Sequence, residues 1–355
     1  MILKILYFMH VDWNWIKQRP HFIVEGLADQ GYQIDVVYPV ARNRRVLADN
    51  SVQHENITLR PYYRAPYAIR NNRFLNRVSN TLSKIQLPSF DYEVIFLTYP
   101  EQIELIPKSY KGKIIYDCMD DHSAFDGVNK EQLRRLEKEV ITASYKIIVS
   151  SSNLLNKIAT YTNKNRESFV LVRNALGSQL NLSEIQEGKQ FNGKVAYLGT
   201  ISEWIDFDTL INALDNAHND VCVDFIGPVT VDVPNHPKIR FLGSIDSSHI
   251  KKALEPYGTF IMPFMVNELI RSVDPVKFYE YIHLGGNIVS CKYPEIERFS
   301  SFVNFYHDSD SLLTLINKIG GTSVDSIESR RNFLNENTWF HRVGQVKELL
   351  ENVDG

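Results

Sequence analysis

Cysteine is scarce in this chain: Cys118, Cys222 and Cys291 are the only three in 355 residues, and they lie far apart. That pattern excludes both the even count of a disulfide framework and the close pairs of a zinc site, and a reducing cytosol is the simplest setting. An excess of charge of one sign is missing too. Lys plus Arg number 39 against 42 Asp plus Glu, a formal charge of -3, which disfavours nucleic acid as a partner. No apolar run approaches the roughly 18 to 20 residues that span a bilayer. The opening MILKILYF ends at Phe8, ahead of His10 and Asp12, so it reads as a first buried strand and is too short for a signal segment. Any membrane contact is expected to be peripheral. What remains is 44% hydrophobic and 23% charged, the composition of a folded globular protein. At about 150 residues per domain the length predicts two domains, each with its own core.

Short apolar runs at 2–8, 34–38, 94–98, 113–117 and 146–150 alternate with amphipathic stretches near 19–30 and 132–144. In the latter, Leu133, Leu136, Val140 and Ile141 recur at helical spacing. Strand alternating with helix predicts a parallel sheet covered on both faces. A polar stretch at 173–192 is expected to be the interdomain linker. The rhythm then restarts at 194–199 and runs through 207–217, 221–226, 239–242, 249–254 and 259–263. The expected fold class is α/β, with doubly wound domains at 1–173 and 174–330 and a C-terminal helix at 331–355 crossing back to the first. Ligands of such sheets bind beyond the carboxyl ends of the strands, at the point where strand order reverses.

The segment from Asp274 to Tyr281 precedes Leu284-Gly285-Gly286 and a buried strand. Asp274 suits a helix cap and Pro275 the first helical position. A helix beginning there aims free amides at a ligand, Lys277 adds a full charge, and Glu280 one turn later can accept from a ribose diol. A solvated surface Lys and Glu would show the same spacing.

The run from Ser272 to Ser290 resembles the donor-sugar motif of GT-B glycosyltransferases, above all the retaining family 4. The resemblance implies two Rossmann-like domains facing a cleft. It gives Glu280 the nucleotide ribose, as the final Glu of an E-x7-E pattern. Ser272 stands where the first Glu would fall, and Glu268 could supply a carboxylate from the same loop. Tyr116-Asp117-Cys118-Met119-Asp120-Asp121-His122 is similar to the strand end of bacterial capsule and teichuronic-acid transferases, where Asp120, Asp121 and His122 would arrange an acceptor hydroxyl. A capping Asp and a surface His are the bland reading of the same residues. The loop after the first strand also matches that subgroup, implying acceptor-side roles for Trp13, Trp15, Arg19 and His21, by stacking on a sugar and clamping a phosphate. Structural tryptophans are the alternative. Gly199 and Thr200 would let backbone amides approach a diphosphate. No Arg and Lys follow shortly after them as in many relatives, so Lys277 with Arg271 would neutralise it. Gly243 and Ser244 resemble the strand end whose backbone reads the base.

The resemblance implies transfer of a sugar from a nucleotide-diphosphate sugar to a saccharide or lipid-linked saccharide acceptor of a bacterial surface glycan, in the cytoplasm, with retention and without a metal or other cofactor. Asp206-Phe207-Asp208 matches a D-x-D metal motif, but Asp206 is better explained as a helix cap. Residues 57–90 carry Arg60, Arg64, Arg70, Arg73, Arg77 and Lys84 among Tyr62, Tyr63, Tyr67 and Phe74, with no acidic residue. That segment suits either peripheral contact with anionic membrane or a solvated basic face. An epimerase of the same fold and a non-catalytic glycan-binding partner remain as rival functions.

Overall fold

The structure, a computed structural model, describes residues 3–40, 54–66, 73–177, 180–186, 188–190, 192–218, 220–245, 249–318 and 326–351. The chain divides into two compact units, Met1–Arg173 with Trp339–Gly355, and Asn174–Thr338.

The first unit runs β1 (Lys4–Phe8), α1 (Arg19–Asp29), β2 (Gln33–Pro39), β3 (Ile57–Tyr62), α2 (Arg73–Gln86), β4 (Val94–Leu97), β5 (Lys113–Cys118), α3 (Lys130–Ala143), β6 (Lys146–Val149), α4 (Ser152–Ala159) and β7 (Phe169–Leu171). Its strands form one parallel sheet in the order β3-β2-β1-β4-β5-β6-β7. The central strands read as unbroken apolar runs, such as VIFL in β4, because helices cover both faces and no residue is left for water. Leu133, Leu136, Val140 and Ile141 form the buried line of α3, and Asn129 caps it by accepting from the Gln132 amide at 3.1 Å. The reversal of strand order falls between β1 and β4, which opens a crevice beyond their carboxyl ends.

The second unit repeats the plan with β8 (Lys194–Leu198), α5 (Phe207–Asp215), β9 (Cys222–Ile226), β10 (Ile239–Gly243), α6 (Ile250–Leu254), β11 (Thr259–Met262), α7 (Val276–Leu284), β12 (Asn287–Cys291), β13 (Val303–Tyr306), α8 (Ser309–Lys318) and α9 (Ile327–Glu336). Its sheet, also parallel, is ordered β10-β9-β8-β11-β12-β13, reversing between β8 and β11. The polar stretch expected to link the domains is strapped onto this unit instead. Gln186 N–H donates to His283 O at 3.1 Å, Lys189 N–H to Gly285 O at 2.8 Å, and Leu176 N–H to Asn337 O at 3.0 Å. Backbone bonds of this kind need no apolar side chain, so polarity alone did not mark a linker.

The C-terminal region is two helices, not one. α9 stays with the second unit, where the buried Arg330 donates to Gln186 O at 2.8 Å. The chain re-enters the first unit only at α10 (Trp339–Glu351). There Trp339 stacks on Phe22 of α1 at 4.8 Å. Gly26 lets the two helices close, since a Cβ at that position would lie 2.4 Å from Val343 Cγ2.

Candidate functional site

In the second unit the strand-end backbones lock together. Gly199 N–H donates to Ile226 O at 3.0 Å, and Gly227 N–H to Gly243 O at 2.8 Å. A Cβ on Gly227 would stand 2.0 Å from Gly199 O, so only glycine permits this approach of the turns after β8 and β9. The Tyr197 hydroxyl donates to Thr200 O at 2.9 Å, folding the loop back on its strand.

Facing the β8 end, α7 carries the charged pair. Lys277 Nζ donates to Glu280 Oε2 at 2.7 Å, with the Lys side chain 26% and the Glu 4% exposed. The helix is braced against the strand by Tyr281, whose hydroxyl accepts from Leu198 N–H at 2.9 Å and whose ring stacks on Phe260 at 4.4 Å. Sequence reasoning quoted Tyr281 without a role, because its partner lies 83 residues away. Pro275 occupies the cap position, and no side chain caps the helix. Asp274, expected as the cap, lies one residue too early. Its buried carboxylate accepts from Asn174 N–H at 2.7 Å and pairs with the Arg298 guanidinium. Of the neighbouring candidates, Glu268 and Arg271 are exposed and Ser272 is buried. Gly243 ends β10, with Ser244 following it at the surface.

Asp206 accepts from Thr209 N–H at 3.0 Å and from the Thr209 hydroxyl at 2.8 Å, the geometry of the N-cap of α5. Among the described residues no group of three His, Cys, Asp or Glu side chains is placed to hold a metal ion.

In the first unit, residues following β1, β4 and β5 converge. Tyr99 lies edge-on to His122 at 4.7 Å, and His10 lies edge-on to His122 at 6.0 Å. His10 Nδ1 is 3.1 Å from Thr98 Oγ1, and that hydroxyl donates its proton to Phe8 O at 2.9 Å. Toward His10 it can therefore only accept, so Nδ1 carries a hydrogen. In the sequence His10 was noted only as the end of the first apolar run and Tyr99 not at all, although the rule of strand ends could have given His10 a role. Both line a depression of about 510 Å³ together with Trp15, Asp12, Arg64 and Gln102.

Burial sets the protonation of this site. His122 is pushed down to about 4 by desolvation, and its Nε2 is buried with no partner among the described residues. Half-buried Asp120 is pushed up to about 7, first by desolvation and then by the neighbouring Asp121 and Asp117 carboxylates, with Arg19 opposing. Asp121 is committed internally: it pairs with Lys157 and accepts from the Ser123 hydroxyl at 3.0 Å. Beneath it, Glu137 accepts from the Tyr116 hydroxyl at 3.0 Å and is pushed up to about 7, chiefly by burial.

Three of the four residues expected on the acceptor side face inward. Arg19 grips Asp117 through Nε and Nη2 at 2.9 to 3.1 Å and donates to Val172 O at 2.8 Å. His21 reaches Trp13 O at 2.9 Å and accepts from Gln18 N–H at 3.1 Å, burial holding it down at about 4. Trp13 is wholly buried. Only Trp15 lines the depression. In the basic segment, Arg60 pairs with Asp35, and Arg64 with Glu101 at 3.1 Å. Tyr67 and Arg70 lie outside the described residues.

No family model and no curated protein matches this sequence. Solved structures match it over almost its whole length. HepE of Anabaena, in complex with UDP and glucose, aligns with TM-score 0.64 over 99% of this chain and 100% of its own, at 12% identity. The lipopolysaccharide outer core galactosyltransferase WaaB gives 0.65 over 99% of each chain at 10% identity. Sucrose-phosphate synthase of Thermosynechococcus elongatus gives 0.70 over 99% of each at 11%. Likeness at these identities is one of fold, and two doubly wound parallel sheets in tandem define the class. The fold is GT-B, the architecture of these glycosyltransferases.

Proposed function

We propose that the chain is a GT-B glycosyltransferase of the family 4 type, moving a sugar from a uridine-diphosphate donor to a hydroxyl of a surface-glycan acceptor, lipid-linked in the cell, with retention and without a metal. The observation that carries this reading is the Lys277–Glu280 pair at the start of α7, beside the glycine turn after β8. In this structure the two charges satisfy each other. A bound nucleotide offers each a better partner: diphosphate for Lys277 and the first amides of α7, and the ribose diol for Glu280. HepE, with UDP in its structure, motivates the choice of base.

In the reaction the bond from the anomeric carbon to the diphosphate oxygen breaks and one to the acceptor oxygen forms. The acceptor proton leaves on the departing phosphate, whose charge Lys277 stabilises. Asp120, His122 and His10 would orient the acceptor, with Trp15 offering an apolar face to its ring.

Thermal stability with UDP, GDP, CMP and dTDP tests the donor half. UDP at about 100 times its Kd should stabilise the protein by about 2.7 kcal/mol. Glu280→Ala should remove at least nine-tenths of the affinity, equivalent to about 1.4 kcal/mol. If no nucleotide shifts the melting temperature, the donor site and with it this function are refuted.

A further inference from the structure

The second helix of the first unit is inside out. Along one side of α2, Val78, Leu82 and Ile85 follow an i, i+4, i+7 spacing and are 43, 58 and 77% exposed, and Leu75 extends the line. Around from that line Asn76, Ser79, Asn80 and Ser83 are all buried. Hydrogen bonds seat this polar side. The Asn76 and Asn80 amides donate to Glu104 Oε2 at 3.2 and 2.9 Å, and Arg64 donates to Asn80 Oδ1 at 3.3 Å. The Ser83 hydroxyl donates to Tyr63 O at 3.3 Å. A surface helix in water normally turns its apolar stripe to the core and its polar face outward. Here the inner face is occupied by a polar seam, and the apolar stripe is left for something outside the unit.

Charge decides what that is. The helix sequence RFLNRVSNTLSKIQ holds no Asp or Glu, and Arg77 and Lys84 are exposed beside the stripe, seven residues apart and so on one flank. Two copies packed through this face would bring cations against cations. A surface of acyl chains under anionic headgroups answers both features, the stripe and the flank. We propose that α2 lies flat on an anionic lipid surface, with Val78, Leu82 and Ile85 in the acyl boundary and Arg77 and Lys84 among the headgroup phosphates. At 14 residues the helix offers about 21 Å of contact along its axis. The donor site plays no part in this contact.

Flotation of the full chain with vesicles tests it, using phosphatidylcholine alone and phosphatidylcholine mixed two to one with phosphatidylglycerol. The wild type should float with the mixed vesicles and much less with the neutral ones. Leu82→Ser with Ile85→Ser should weaken binding at least tenfold, and Arg77→Gln with Lys84→Gln should make residual binding insensitive to salt. Both double variants change exposed positions only, so an unchanged melting temperature shows that they are folded. An unchanged UDP shift separates failure here from failure of the proposed function. Equal flotation with both vesicle types, or none with either, overturns the proposal. So does a wild-type dimer in sedimentation that Leu82→Ser with Ile85→Ser turns into monomer, because the stripe would then be an interface between copies.

Discussion

The two candidate sites occupy the same place on two sheets of like topology, after the strands that flank each reversal of order, yet they are built in opposite ways. In the second unit the charges are two residues of one helix, three apart, with Lys277 partly in solvent. In the first the deepest pair comes from distant segments and is buried, Arg19 with Asp117, 98 residues apart, while Lys157, paired with Asp121 36 residues away, is half-buried. The difference follows from what each arrangement can do. A charge that must meet a charged ligand has to exchange its partner at little expense, so it stays near water. A charge neutralised deep inside a sheet cannot be exchanged and instead holds the loops above it.

The sharpest break of that comparison is Asp117→Ala. It strips the closest carboxylate from a guanidinium only 4% exposed, leaving Val172 O and Arg173 O, with Asp120 nearby, to hold a buried charge. Removal of one member of a buried pair costs about 3–5 kcal/mol, read as a lower urea midpoint with an unchanged slope. A loss below about 1 kcal/mol would put this pair in the class of surface ion pairs and erase the contrast between the units.

A middle-sized effect comes from Glu137, and pH reveals it. Its carboxyl is raised from 4.5 to about 7 in the fold, so between those values the folded chain holds more protons than the unfolded one. The resulting stability is whole below pH about 4.5 and is lost as pH rises through about 7. Glu137→Gln keeps an acceptor for the Tyr116 hydroxyl but never ionises. Its melting temperature relative to wild type should therefore climb steadily from pH about 5 to about 7 and then level off. Asp120, raised in the same sense, and His21 and His122, lowered to about 4, are present in both proteins and cancel in the difference. A flat difference would mean that Glu137 ionises as freely in the fold as outside it.

These contrasts also explain what could be read from the sequence. The parallel sheets were legible because strands covered on both faces are unbroken apolar runs, and α3 because its buried line is an ordinary 3.6-residue stripe. Lys277 and Glu280 were legible as a pair because they are local. The Arg19–Asp117 clamp was not, since neither residue has a neighbour in sequence that points to the other. Helix α2 shows a subtler limit. Periodicity reveals that a helix has two faces, and the apolar one is assumed to be inside, but Glu104 and Arg64 supply a polar seat that reverses the choice. The stretch at 173–192 was read as a linker on its polarity, while its backbone bonds to α7 and its neighbours carry no signal in side-chain type.

The smallest effect separates a local aspartate from a long-range one. Asp206 opens a D-x-D and stands in the second unit, but both of its carboxylate oxygens accept hydrogen bonds from Thr209. Loss of an N-cap costs about 1 kcal/mol, and Asn at the same place restores the acceptor. Asp206→Ala should therefore lower the melting temperature slightly and Asp206→Asn hardly at all, and EDTA should leave transfer by the wild type and by both variants unchanged. A metal ligand would behave the other way: Asn, a far weaker ligand for a divalent cation than a carboxylate, would abolish transfer as fully as Ala while sparing stability. The ratio of the two variants' activities, read beside their melting temperatures, thus tells a cap from a metal site even before the donor sugar is known.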